Sequence, residues 1–268
     1  MFASMRSIAF AVGLGATTIV VGSVQPVDPL GAATPLHGQV FPLGTKATSQ
    51  QWITLHRGAR VLPTLVISPK LPPRSVVPLL VFAHGWNNNP QGYRTILTSW
   101  ASAGFLVVAP TSPGMALGLP LTSETAGNQA QLSDLPSVLS TMLSTTHALT
   151  IDRSEVVYAG HSDGAQAVAT LAFNPALRDD RARAFVILAG ARVPQNDRWS
   201  GSNNRPVYIA ASYNDEWGNW PSSAFFFTHA RGPKVLVGIG RGERHLPPGR
   251  CRVPFTAPSG SPRLISVA

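Results

Sequence analysis

Six short runs of unbroken apolar residues, separated by stretches long enough to hold a helix, constrain this chain more than any other feature. They fall at 76–83, 105–109, 156–159, 184–189, 207–211 and 235–239. A strand with one wet face alternates polar and apolar residues, so a strand that is apolar throughout is buried on both faces. That is the condition of a parallel sheet covered by helices. Between the runs, helices are expected at about 91–103, 135–146, 164–173 and 220–230, each sufficient for a right-handed crossover. An opening antiparallel hairpin at 51–56 and 60–68 turns around Arg57-Gly58. Asp134 and Pro136 read as the cap and first turn of the second helix, and 111–128, rich in Gly, Pro, Ser and Thr, reads as a surface loop. The expected fold class is therefore α/β, with a mostly parallel central sheet and helices on both faces.

The first residues look like an address. Arg6 is the single charge before an uncharged stretch at 8–24, which is shorter than the ~20 residues a membrane span needs. Small residues at suitable positions follow near 23 and 33, so residues 1–33 read as a signal peptide, with an uncleaved anchor as the alternative. No stable membrane span is expected after cleavage, and the mature chain is expected outside the cell or in its envelope. Residues 34–250 read as one domain and 251–268 as a Pro- and Arg-rich tail.

Composition then removes several function classes. With 44% hydrophobic residues the chain can build a core, and its one cysteine, Cys251, excludes an internal disulfide framework and any Cys-based zinc site. The net charge of +9 comes from scattered arginines and forms no stripe, so nucleic acid is not an expected partner. The sequence leaves the oligomeric state open.

The chemistry centres on Gly160-His161-Ser162-Asp163-Gly164. The pattern Gly-x-Ser-x-Gly is weak alone, but here it follows an apolar strand and opens a helix-forming run. In that context it is a nucleophile elbow, which exposes a serine at the carboxyl end of the sheet. A serine hydroxyl needs a base, and the base needs a group that holds its tautomer. In an elbow-type sheet the chain order is serine, acid, histidine, each after a strand. His37, His56, His84 and His147 precede the serine, His161 lies in the elbow, and His229 ends a helix. His245 alone follows a late strand. Of the later carboxylates, Asp215 and Glu216 follow the run at 207–211; Asp215 is preferred, with Glu216 the alternative.

An oxyanion needs donors. The backbone N–H of Asp163 is one. The N–H of Trp86, in the loop His84-Gly85-Trp86 after the first long strand, is the other candidate. Trp86, His161 and Trp217 are the candidate substrate-binding residues. Tyr93 and Trp220 are further rim aromatics, and any of these rings could instead be packing.

His84-Gly85-Trp86, the 160–164 elbow, Asp215 and His245 together resemble the α/β-hydrolase superfamily, in the branch of dienelactone hydrolase-like, chlorophyllase-like and polyester hydrolase-like secreted esterases. The resemblance runs from Phe41 to His245 and includes Leu62-Pro63-Thr64, the passage Trp100 to Phe105, and Ile151-Asp152-Arg153-Ser154. It implies hydrolysis of small-molecule, lipid or polymer esters through an acyl-enzyme on Ser162, without metal or organic cofactor. A thioesterase or peptidase using the same triad, and a catalytically impaired binding protein on the same scaffold, are the alternatives. Where that family usually closes with a helix, this chain has the tail after His245.

Overall fold

A computed structural model describes residues 44–190, 203–212 and 219–239, and the backbone of 263–267. Strands β1 (Thr48–Arg57) and β2 (Arg60–Pro69) form the expected hairpin, with Arg57 opposite Arg60. The two-residue turn between them places Gly58 at φ 57°, a backbone region open to glycine at little steric cost. There follow β3 (Val76–Ala83), β4 (Leu106–Pro110), β5 (Thr150–His161), β6 (Ala184–Leu188), β7 (Val207–Ser212), β8 (Lys234–Ile239) and β9 (Arg263–Val267). They build one nine-stranded sheet in the order β1-β2-β4-β3-β5-β6-β7-β8-β9. β2 runs antiparallel to β1 and β4, and every other pairing is parallel.

The apolar runs are explained by two cores, one on each face of the sheet. Leu79, Val81 and Ala83 of β3 join Val156 and Tyr158 of β5 in the first. Leu80 and Phe82, with Val157 and Ala159, enter the second. Helix α1 (Arg94–Ala103) covers the second core with Leu97 and Trp100. Helices α2 (Glu124–Ser144), α3 (Asp163–Phe173) and α4 (Asn219–His229) cover the first, through residues such as Leu139, Leu171 and Phe226. Each fully buried large side chain of this kind stabilises by about 1.5–3 kcal/mol. Trp220, a rim candidate in the sequence, packs against the first core. Among the described residues no helix is long and apolar enough to cross a membrane.

Three boundaries differ from the sequence expectation. Helix α2 starts at Glu124, where Ser123 Oγ accepts from the Ala126 N–H, so the supposed loop ends early and Pro136 lies inside the helix. Asp134 is therefore no cap. It is fully buried within α2 and receives Arg57 Nε at 2.7 Å and Arg60 Nη2 at 2.9 Å from the hairpin. Strand β5 begins six residues before its apolar run: Thr150 and Ile151 pair with Val76 and Val77 at the start of β3, and the register then slips, so that Leu79 pairs with Val156. Within the stretch read as a tail, 263–267 pairs with β8 as the edge strand β9.

Candidate active site

β5 delivers the elbow to the carboxyl end of the sheet, where α3 begins at once. Ser162, between them, has φ 55° and ψ −122°, a combination that costs a non-glycine residue of order 1–3 kcal/mol and persists only where the surroundings enforce it. Here they do. The Ser162 N–H donates to Leu188 O at 3.0 Å, and Ser162 O accepts from Ala165 N at 2.9 Å. A Cβ on Gly160 would lie 2.3 Å from Gly164 O, so neither flanking glycine is replaceable. The sequence reading missed a third: a Cβ on Gly190 would lie 2.3 Å from Ser162 O. Its signal was only the Ala189-Gly190 step after an apolar run, and Ala189 itself carries φ 41°.

The loop after β3 lies against the serine. A Cβ on Gly85 would stand 2.9 Å from Ser162 Cβ, which fits the role expected of an oxyanion loop. The loop is fixed by partners distant in sequence. His84 is fully buried and accepts the Ser112 N–H at Nε2, 2.9 Å away. That leaves the proton on Nδ1, which donates to Gly85 O at 2.9 Å. Burial pushes the His84 pKa down to about 4, so the ring is neutral at physiological pH. Gln131 of α2 donates to His84 O at 3.0 Å. Met115 O accepts from Asn87 N at 2.8 Å, and Asn88 O from Leu117 N at 3.0 Å, tying the loop to the segment after β4.

Tyr93 joins loop and elbow. Its hydroxyl accepts the Gly85 N–H at 3.2 Å and lies 2.9 Å from His161 Nδ1. Burial raises its pKa to about 12, so it stays protonated and can donate to that nitrogen. A rim aromatic in the sequence, Tyr93 is a brace in the fold. The Trp86 ring is half-buried over the first turns of α2, where a Cβ on Gly127 would meet it at 2.9 Å. Asp163 is nearly buried; its carboxylate accepts the Trp86 N–H at 3.2 Å and Asn128 Nδ2 at 3.4 Å. The roles of His84, Tyr93, Asn128 and Gln131 carried no local sequence signal.

The structure thus brings together Ser162, Asp163, His161, Gly85 and Trp86. Asp215, its neighbour Glu216, Trp217 and His245 lie outside the described residues. The strands before them end at Ser212 and Ile239, which pair with each other; His161 at the end of β5 pairs with Leu188 at the end of β6. Among the described residues no group of three or more His, Cys, Asp or Glu could hold a metal ion.

A sheet of this order with a strained serine between β5 and α3 is the α/β-hydrolase fold, and solved structures agree. A protein described as a dienelactone hydrolase, from Klebsiella pneumoniae subsp. pneumoniae, superposes with TM-score 0.58 at 15% identity, over 74% of this chain and 87% of that one. Est1E from Butyrivibrio proteoclasticus gives 0.54 at 16% identity, over 72% and 90%. The acylaminoacyl peptidase of Pyrococcus horikoshii gives 0.56 at 14% identity, over 75% of this chain but only 38% of that longer one. The chain belongs to the chlorophyllase family, whose model matches residues 36–189, more than half of its length. A search of curated proteins finds no match.

Proposed function

We propose that this protein is an exported serine esterase. Ser162 Oγ adds to the ester carbonyl while its proton passes to His245, which Asp215 orients. The tetrahedral oxyanion takes the N–H groups of Asp163 and Trp86. The alcohol leaves with the proton from His245, giving an acyl-serine. Water, deprotonated by the same histidine, then releases the acid. The observation that carries this reading is the strained backbone of Ser162, at φ 55° with Gly85 pressed against its Cβ. Strain of this kind is retained at sites that need it. Asp163 is the first residue of α3, so its N–H has no partner within the helix and lies where the helix dipole favours negative charge. Asp215 and His245 follow neighbouring strands of the same sheet edge by three and six residues, which supports their pairing.

The experiment is hydrolysis of p-nitrophenyl esters of graded acyl length by the wild type and by Ser162→Ala, together with fluorophosphonate labelling. The wild type hydrolyses the esters and is labelled at Ser162. The alanine variant melts at the same temperature, is not labelled, and loses several orders of magnitude in rate. Equal activity in the two proteins would remove the nucleophile assignment.

A further inference from the structure

We propose that the Asp163 side chain, beyond its backbone N–H, determines specificity at this site. Its carboxylate holds the Trp86 N–H that an ester oxyanion requires, and so competes with every acyl group that cannot compensate its charge. This rests on the esterase reading above. The peptide between Gly85 and Trp86 is held at both ends. His84 Nδ1 takes the Gly85 carbonyl at 2.9 Å, and Asp163 Oδ2 takes the Trp86 N–H at 3.2 Å. In a trans peptide the C=O and N–H point in opposite directions, so the grip of His84 on the carbonyl turns the Trp86 N–H toward the elbow, the side on which Gly85 meets Ser162. The group that receives it there is an anionic oxygen from the residue next to the nucleophile.

One N–H cannot serve a carboxylate and an oxyanion together at full strength. Two negative oxygens in this nearly closed corner also repel each other, because charges removed from water interact far more strongly than in it. The remaining hold on the carboxylate is slight: Asn128 Nδ2 stands 3.4 Å from Oδ1, beyond the usual range of a good hydrogen bond. The carboxylate can therefore be drawn off by a substrate that offers it something better. An acyl group with an ammonium beside the carbonyl does so, a neutral acyl group must displace it unaided, and an anionic acyl group is repelled. The substrate class that fits is an ester whose acyl side carries positive charge.

The test measures kcat and KM, with spontaneous hydrolysis subtracted, for p-nitrophenyl esters of alanine, propionate and hemisuccinate. The proteins are the wild type, Asp163→Asn and Asp163→Ala, each checked by melting and by fluorophosphonate labelling of Ser162. Asparagine keeps an acceptor of the same shape and removes the charge, so it guards against a variant that fails to fold. Expected is a wild-type order of alanine over propionate over hemisuccinate in kcat/KM. Both substitutions raise kcat/KM for propionate about tenfold and flatten the order. Variants that melt and label like the wild type but keep the order, or lose rate equally on all three esters, overturn the proposal and leave the esterase reading standing. Failure of Ser162 to label in all three proteins removes the esterase reading, and this proposal with it.

Discussion

Gly164 sits against the end of β3: a Cβ on it would lie 2.2 Å from the carbonyl oxygen of Ala83 and 2.8 Å from that of His84. The first turn of α3 therefore touches the very backbone from which the His84-Gly85-Trp86 loop departs. Both partners are main chain, and neither can rotate away. Gly164→Ala is expected to give little folded protein, or a loss of more than 3 kcal/mol, since overpacking a core costs 1–3 kcal/mol even where side chains can adjust. Gly118 is the control. It has φ 85° but open space around it, so Gly118→Ala should cost only about 1 kcal/mol, the backbone preference alone. Urea unfolding of the two variants checks the ranking.

The features legible in the sequence are those with a local pattern. β3, β4, β6, β7 and β8 were readable because burial on both faces makes them apolar throughout. The elbow was readable because steric need puts glycines two residues either side of Ser162. The start of β5 was hidden because 150–155 is mostly polar and largely exposed, and the pairing of Thr150 and Ile151 with β3 is a long-range fact. The start of α2 is hidden because its first half carries Gly127 and Asn128. These are poor helix formers, yet with Gln131 they face the loop after β3 and Asp163, and tertiary contact outweighs propensity. The braces His84 and Tyr93 each act through two hydrogen bonds, His84 to Ser112 N and Gly85 O, Tyr93 to Gly85 N and the His161 ring, and isolated contacts of this kind leave no periodicity to read. β9 was hidden in a stretch whose composition resembles a linker.

Asp134 offers a test of the difference between a cap and a buried ion pair. Losing a cap costs about 1 kcal/mol. Removing one partner of a buried charge pair costs about 3–5 kcal/mol. Asp134 is fully buried, while the Arg57 and Arg60 side chains keep 35% and 28% of their surface in contact with solvent. The two freed guanidinium groups can hydrate, so the lower end of that range applies. Asp134→Ala should lose about 3 kcal/mol in denaturant titration. Arg57→Ala should lose less than about 1 kcal/mol, because Arg60 still meets both carboxylate oxygens, through Nε and Nη2.

Acid sensitivity follows from His84. Its pKa falls from 6.5 to about 4 in the folded chain because burial disfavours the charged ring. The unfolded chain takes up a proton as pH drops below 6.5 and the folded chain does not until about 4. The stabilising contribution is thus fully present above pH 6.5 and drains away between 6.5 and about 4. At 1.36 kcal/mol per unit it amounts to about 3 kcal/mol. His84→Gln keeps a donor and an acceptor but does not titrate. Its stability deficit against the wild type, measured by urea unfolding at pH 7 and pH 4, should shrink by about 3 kcal/mol at the lower pH. An unchanged deficit would mean that His84 carries its proton in the fold.

Tyr93→Phe separates a brace from a packing ring. The Phe82 contact, with ring centroids 4.8 Å apart, survives the change, so what is lost is the hydroxyl. Gly85 is buried, and its N–H donates to that oxygen at 3.2 Å. Left without a partner it costs about 1–3 kcal/mol. The second loss is at His161 Nδ1, 2.9 Å from the same oxygen. Gly85 also borders Ser162, so a loosened Gly85 shifts the Trp86 N–H relative to the proposed nucleophile, and a displacement of about 1 Å can lower a rate by as much as 100-fold. With its pKa pushed up to about 12, the hydroxyl does not ionise in the working range, so any effect on rate is positional. On the ester substrates, well below the melting temperature, kcat should fall about ten- to a hundredfold while KM stays within about threefold, because an oxyanion donor acts on the transition state more than on the bound ester. A variant that melts earlier yet keeps its kcat would reduce Tyr93 to packing and detach the Gly85 N–H from the chemistry of Ser162.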